Sequence, residues 1–490
     1  MSLIGIDVGT SSVKCVAYGE DGKLLAQARH ELSPLFPKPG YWEQDAEDVW
    51  NSVKYCLRQI AVVEEVLDDQ PIAIAISASG RENFLADSNG IPLTPAIMGA
   101  DIRGVEFETT ETGIEQPEQW TLSCGHQRER MDPIFRLLWW RKEYPEIVNK
   151  ASYFFGWQDF LAFRLTGNAV TDKSMASRYQ VFDLHSMNWS EERIRAIGIE
   201  KKFLPNIQDW GTIIGEVKKP ILQELRLPPN ICLAVGCLDT HSAAVGVGVG
   251  KLGTGALTSG NFENLLIASS NPPTKNMIMG GLSVMPYPRN KLSILSVSPT
   301  GSAVLNWARD LLNLSIERIE MELVNREDSP SHVLAIPYLS GSMLYWENRR
   351  SLRGALTNLT LATNRVDILK AIMESIAYEH VFTLRLLKRE GISVELIRAT
   401  GGGSNSHWWT QLKADMLNVP IEVIDQPEPG AFGAAILAGF AMGVFTDLVS
   451  APEKYNIITR KHIPNPERRK LHKARLKEVG TLIPKLISST

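Results

Sequence analysis

The sequence predicts an α/β protein of more than one domain, on three observations. Short apolar, β-branched runs that read as buried strands alternate with longer stretches of helical period. The 490 residues exceed what one hydrophobic core organises. An apolar run closing on hydroxyls and glycine occurs at Leu3–Ser12 and again at Ala256–Asn261. This pseudo-repeat sets one such hairpin in each half of the chain, with a boundary near 245–255.

The first hairpin opens with Leu3, Ile4 and Ile6 as a buried strand that runs straight into Asp7. Gly9 is read as the turn where a side chain would clash. Thr10, Ser11 and Ser12 offer hydroxyls, and Val13, Cys15, Val16 and Ala17 return as a second strand beside the positive Lys14. Turn amides, hydroxyls and a cation make a site for a nucleotide's phosphates. Asp7 could then reach a phosphate-bound magnesium ion, which prefers carboxylates and keeps its waters. An ordinary hairpin with a polar turn is the alternative.

Ile72–Ser77 is the next apolar strand, opening into Ala78-Ser79-Gly80-Arg81-Glu82-Asn83 at a strand's carboxyl end, where α/β sheets bind ligands. Pro133–Arg141 and Gln158–Leu165 read as helices, the second stopped by Gly167. After a Pro/Gly-punctuated stretch at 204–230, the strand Ile231–Val235 leads into Gly236-Cys237-Leu238-Asp239-Thr240-His241-Ser242 and a Gly/Val-rich segment. In the second half Asn364, with Asp367 three residues on, caps a helix striped by Leu369, Ile372, Met373 and Ile376 and stopped by Gly391. The strand Leu396–Ala399 runs into Thr400-Gly401-Gly402-Gly403-Ser404-Asn405, followed by a helix through Trp408, Trp409 and Leu417. Ala431–Phe445, apolar and rich in Gly and Ala, is short of the roughly 20 residues a membrane span needs and reads as a buried helix.

Composition excludes several classes. Apolar residues at 44% and charged residues at 22% are those of a soluble globular chain. A net charge of −4 leaves no electrostatic footprint for nucleic acid. Five scattered cysteines fit a reduced, cytoplasmic protein better than a disulfide framework, with no zinc-ligand spacing. A strand begins almost at the N-terminus, leaving no room for a signal peptide.

Each candidate site has a chemical reason and a plainer rival. Gly401-Gly402-Gly403, between a strand and a helix, suits a ligand lying flat on the main chain, or a structural loop. Asp239 can cap the following helix, or accept a proton from a substrate hydroxyl as the base of a phosphoryl transfer. Arg81 and Glu82 are a solvated pair, or a donor fork beside an acceptor that together read neighbouring hydroxyls, with Asp101 and Arg103 on the pocket's second side. Trp139, Trp140, Trp408 and Trp409 read as packing residues, and His126, His241 and His407 show no metal-ligand spacing.

In order along the chain, these segments resemble the FGGY family of carbohydrate kinases over nearly the whole length. The resemblance is carried by Ile6-Asp7-Val8-Gly9-Thr10, Pro39-Gly40-Tyr41-Trp42-Glu43-Gln44-Asp45, Pro95-Ala96-Ile97 with Asp101 and Arg103, and Gly236-Cys237-Leu238-Asp239. It continues through Gly301-Ser302-Ala303-Val304-Leu305-Asn306-Trp307, Ile336-Pro337-Tyr338-Leu339-Ser340-Gly341, Arg353-Gly354-Ala355, Thr400-Gly401-Gly402-Gly403-Ser404 with Gln411, Ala414 and Asp415, and Gly433-Ala434-Ala435. What it implies is two actin-like ATPase (RNase H-like) domains flanking a central cleft and closing over ATP, Mg2+ and a small sugar or polyol. The expected division is an N-terminal sugar-binding domain at 1–248, an ATP-binding domain at 249–446 and a peripheral segment at 447–490.

By motif position, Asp7 would serve the metal, Thr10, Ser11, Lys14 and Ser259 would face the phosphates, and Gly401, Gly402 and Asn405 would match the adenosine pocket. Asp239 resembles the catalytic base, and Arg81, Glu82, Asp101 and Asp239 would hold the substrate. The implied reaction is ATP-dependent phosphorylation of a primary hydroxyl, with a ketopentose as the leading substrate. Arg81-Glu82-Asn83 departs from the Gln-Met-His of xylulose-kinase-like members and looks like glycerol kinases and kinases of autoinducer-type ligands. Gly99 stands where glycerol kinases place Trp, which implies a roomier pocket. Glycerol, a tetritol, another polyol or an autoinducer-type ligand is the alternative substrate. An actin-like ATPase without a sugar is the rival of another class. No membrane or nucleic acid partner is expected, and a homodimer stays open beside a monomer.

Overall fold

The structure is a computed structural model that describes residues 1–108, 118–129, 131–324, 329–342, 352–448 and 450–487. The chain forms two compact units. The first comprises Met1–Gly250, Met285–Lys291 and Glu428–Tyr455; the second comprises Lys251–Val284, Leu292–Pro427 and Asn456–Thr490. Relative to a division at 248, the segment Glu428–Tyr455 lies with the first unit, and the C-terminal stretch is divided between the two.

In the first unit, β1 (Ser2–Val8), β2 (Ser12–Gly19), β3 (Leu24–Glu31), β4 (Pro71–Ala78), β5 (Ile213–Glu216) and β6 (Cys232–Leu238) form one sheet in the order β5-β6-β4-β1-β2-β3. β1, β2 and β3 are an antiparallel meander, while β4 is parallel to both β1 and β6. The parallel strands are buried along almost their whole length, as their continuous apolar runs require. α1 (Ala46–Ala61), capped by Asp45 accepting from Glu47 N–H at 2.8 Å, packs Val49, Val53, Leu57 and Ile60 against the meander. α2 (Asp239–Gly246) starts where β6 ends.

In the second unit, β7 (Thr254–Ser259), β8 (Glu263–Ser269), β9 (Lys291–Ser298), β10 (Leu396–Thr400), β11 (Ile421–Asp425) and β12 (Ile457–His462) run in the order β9-β8-β7-β10-β11-β12. β7, β8 and β9 are again an antiparallel meander, with β10 parallel to β7 and β11 parallel to β10. The pseudo-repeat is therefore a repeat of topology. α3 (Arg365–Arg389) carries the capping box of Asn364 and Asp367, and Gly391 follows its end at φ 75°. α4 (His407–Leu417) follows the triple-glycine loop.

α5 (Pro429–Ala441) is the buried helix read from the Ala431–Phe445 run, and it packs within the first unit on β1, β4 and α2. The approach is backbone to backbone: a Cβ on Gly5 would lie 1.8 Å from Ala431 O, and one on Gly433 1.9 Å from Ser242 O. Among the described residues no helix is long and apolar enough to cross a membrane.

Candidate active site

The carboxyl ends of the first unit's parallel strands gather its acidic groups. Asp7 pairs across the ladder with Ser77 of β4, and Leu238, just before Asp239, pairs with Ala78 of the same strand. The two carboxylates thus flank β4, on strands roughly 10 Å apart. Asp7 Oδ1 accepts from Ser77 Oγ at 2.7 Å. Burial raises the Asp7 pKa, opposed by that hydrogen bond and by Lys14. Asp239 is pushed up to about 7, first by burial, then by the charges of Asp7 and Glu82. Leu238 holds the cap position of α2 and Asp239 is its first residue, with Oδ1 accepting from Thr240 N–H at 2.6 Å. The chain therefore does not use Asp239 as the helix cap.

Thr10 and Ser11 stand exposed at the turn of the β1–β2 hairpin, and Ser12 is buried. The turn itself does not demand Gly9: a Cβ there would meet only Ser12 O at an ordinary 3.6 Å. Lys14 lies opposite Asp7 in the ladder and pairs with Glu428 Oε2 at 2.6 Å.

Arg81 is not a loosely solvated partner of Glu82. Its guanidinium bridges Asp132 at 2.5 Å and Glu129 at 2.7 Å, while Glu82, almost fully buried, accepts from Arg81 N–H at 3.1 Å. Arg136, fully buried, donates to the carbonyls of Arg81, Met98 and Gly99, tying the two loops together. Asp101 is placed differently from the pocket wall read in the sequence. It is fully buried, and both oxygens are engaged, by Arg103 at 2.9 and 2.6 Å and by Trp42 N–H at 2.6 Å. Its work is to fix Arg103, which also reaches Glu43 at 2.7 Å.

In the second unit, Gly401, Gly402 and Asn405 are exposed. Gly401, at φ 89°, lies so close to β7 that a Cβ would fall 2.6 Å from Ser259 O. Ser259 departs from its expected role. It is 1% exposed and its hydroxyl donates to Glu263 at 2.7 Å, so it anchors the hairpin from inside. Its strand neighbour Thr258 points the other way, as alternation dictates, and is the half-exposed hydroxyl. Beneath the hairpin Glu263 is paired with both Lys413 and His380, the latter at 2.6 Å, and all three are buried. Burial would raise the Glu263 pKa, but Lys413 and His380 outweigh it and hold the carboxyl low. Among the described residues no three His, Cys, Asp or Glu side chains converge as a metal site.

The profile for the N-terminal domain of the FGGY family of carbohydrate kinases matches residues 2–246, half of the chain, and that for the C-terminal domain matches 296–442. The chain belongs to the FGGY family of carbohydrate kinases. It is 27% identical to a glycerol kinase of Bacillus velezensis, covering 93% of each chain. It is 25% identical to a xylulose kinase of Staphylococcus epidermidis, covering 96% of this chain and 94% of the other. The ligand-bound xylulose kinase of Lactobacillus acidophilus superposes with a TM-score of 0.92 at 23% identity, over 100% of this chain and 99% of that one. The fold of this FGGY kinase is the actin-like one, and its activity is phosphoryl transfer from ATP to a hydroxyl of a sugar or polyol.

Several residues that brace the candidate ones are not legible as such in the kinase's sequence. Glu129 and Asp132, which clamp Arg81, lie 48 and 51 positions away in a segment without a motif. Glu428 had one signal, a carboxylate directly before Pro429 at the head of an apolar helix. Lys413 and His380 sit at helical positions indistinguishable from core neighbours, and no local pattern marks a buried ion pair.

Proposed function

We propose that the acceptor is the primary hydroxyl of a small ketose, a ketopentose first, and that Asp239 is the base that takes its proton. The observation that carries this is the Asp239 carboxyl, lifted to about 7 at the carboxyl edge of β6, within the field of Glu82 and Asp7. A base with that affinity can hold a proton near neutral pH and still be ionised often enough to act. The hydroxyl oxygen attacks the γ-phosphorus, its proton passes to Asp239, and the bond to ADP breaks. Arg81, held rigid by Glu129 and Asp132, donates to substrate hydroxyls, and Glu82 accepts. Gly99 keeps the space beside them open: a Cβ there would sit 3.4 Å from Arg81 Cβ and 3.6 Å from Glu82 Oε1. That room favours a five-carbon acceptor. Glycerol, a tetritol or an autoinducer-type ligand is the second reading, favoured by the Arg81-Glu82 pair and the glycerol kinase relative.

Two half-buried carboxylates, Asp7 and the Asp239 whose pKa its charge raises, fit a divalent cation, and oxygen ligands suit Mg2+, which keeps waters and phosphate oxygens as its other ligands. Asp7 would hold it, and the ion would neutralise charge on the phosphates. Thr10, Ser11 and Lys14 are assigned to phosphate contact. In the second unit we assign adenosine to Gly401, Gly402 and Asn405, and a phosphate contact to Thr258 in place of Ser259. Five free cysteines and ATP dependence accord with a cytoplasmic enzyme.

The test is ADP release against pentuloses, hexuloses, glycerol, tetritols and pentitols, with Asp239→Asn beside the wild type. We expect a pentulose to give the highest kcat/KM, and Asp239→Asn to lose about 10²–10⁴-fold in turnover while ATP still binds. Turnover indifferent to every acceptor would support a sugar-free ATPase instead.

A further inference from the structure

We infer that Ser174, oriented by Asp172, is a positioning residue for the carboxylate of Asp239. The inference rests on the assignment of Asp239 as base.

β6 does not run regularly into Asp239. Its register against β4 shifts between Ala234 and Cys237, where Gly236 lies so close to β4 that a Cβ would fall 1.8 Å from Ile76 O. The ladder resumes at Cys237 and Leu238, opposite Ser77 and Ala78, and the Leu238 N–H takes a fixed point outside it. Ser174 supplies it, its Oγ accepting from Leu238 N–H at 3.1 Å. The Ser174 hydroxyl can accept there because its own proton goes to Asp172 Oδ1, at 2.5 Å. Both side chains are fully buried.

A second arm reaches the other flank of Asp239. Asp172 Oδ1 also accepts from Trp210 Nε1 at 2.6 Å. The Trp210 ring meets His241, two residues after Asp239, edge-on with centroids 5.7 Å apart. It also meets Tyr287 at 5.7 Å, and Tyr287 is itself anchored by its hydroxyl donating to Val249 O at 2.6 Å. One buried carboxylate thus orients both Ser174, hydrogen-bonded to the residue before Asp239, and Trp210, in ring contact with the residue two beyond it. The same short helix, Lys173–Ala176, brings Met175 beside Leu238 at Gly80, the residue before Arg81. Asp172 does cap that helix, accepting from Ser174 N–H at 2.6 Å. Capping four residues does not require full burial, and burial lifts the Asp172 pKa to about 6 against all its donors. The arrangement makes sense as a rigid mount for the neighbouring α2 start.

The experiment compares Ser174→Ala, Ser174→Thr, Asp239→Asn and the Ser174→Ala/Asp239→Asn double variant, full-length, at saturating ATP and with the best acceptor of the panel. Ser174→Ala is expected to lower kcat about 10- to 100-fold with KM for ATP within about twofold, and Ser174→Thr to restore most of it. In the Asp239→Asn background Ser174→Ala should cost nothing further, because the group it positions is gone. A wild-type kcat in Ser174→Ala, or the same loss in both backgrounds, overturns the inference. Near-normal turnover in Asp239→Asn overturns the base assignment itself. Trp210→Phe keeps the ring and drops the donor to Asp172. It is the second variant should Ser174→Ala not fold, with a several-fold kcat loss expected by the same Asp239-dependent route, and an unchanged kcat counts against it.

Discussion

The Asp239 carboxyl joins burial, which opposes its charge, to the repulsion of Asp7 and Glu82. Its pKa of about 7 fixes the direction of a pH effect: protonated below that value it cannot accept a proton, and ionised above it can. We expect kcat/KM for the acceptor, which reports the free enzyme, to fall about tenfold per pH unit below about 7 and to level above it. Because burial is the larger cause, Asp7→Asn should move this limb to lower pH without abolishing it. A profile flat between about pH 6 and 8 would sink the assignment. In the sequence, candidates of this kind stand out only where a strand end or a glycine marks them, as at Asp7, Arg81 and Asp239. The sequence presented Ser259 as a phosphate-facing hydroxyl, which the structure buries, because the alternation that turns Thr258 outward and Ser259 inward depends on where β7 packs. It set Asp101 in a pocket, because the buried pairing with Arg103 also draws on Trp42, 59 residues away.

α5 and α3 show how much of an element its own residues decide. An apolar face all round predicts burial of α5, and the structure buries Gly430 through Gly439. What the run does not announce is its partner, chosen by glycines that let backbones touch. A Cβ at Gly433 would overlap Ser242 O, so Gly433→Ala must displace α5 from α2. We expect a loss of about 1–3 kcal/mol or more, read as a lower melting temperature. Gly402→Ala is the contrast, since nothing lies within 4 Å of that added carbon. It should leave stability unchanged and raise KM for ATP if the adenosine assignment holds. α3 was legible from its capping box, but its interior was not. Glu374 there takes Ser331 N–H at 3.0 Å, Glu379 takes the hydroxyls of Ser298 and Thr300 at 2.5 Å, and His380 reaches Glu263. These partners come from strand ends and loops that no helical period can foretell, and each satisfies a group whose burial alone would be costly.

At the scale of the whole chain, the two hairpins announced the duplication, because a strand and its turn are local. The shared strand order, and the assignment of Glu428–Tyr455 to the first unit and of β12 to the second, rest on pairings between distant segments and had no local signature. Both units also bury carboxyls that bind protons more tightly than an unfolded chain would. Burial lifts Asp159 to about 7 in the first unit and Glu374 to about 8 in the second. Such groups stabilise the fold fully below the ordinary carboxyl pKa, and that contribution is lost as pH rises through the folded value. His241 and His462, held down at about 3 and 4 by burial, act oppositely, adding stability as pH rises, but only up to the ordinary histidine pKa near 6.5. Between about pH 6.5 and 8.5 the carboxyls therefore prevail, and the melting temperature should fall. Glu374→Gln keeps an acceptor for Ser331 N–H and removes the titration, so it should flatten the decline of the second unit by about 1.4 kcal/mol per pH unit at most. Calorimetry at the two ends of that window decides it: a melting temperature that rises with pH, or a Glu374→Gln variant with the wild-type slope, would mean that these carboxyls are not the groups that govern the molecule's stability.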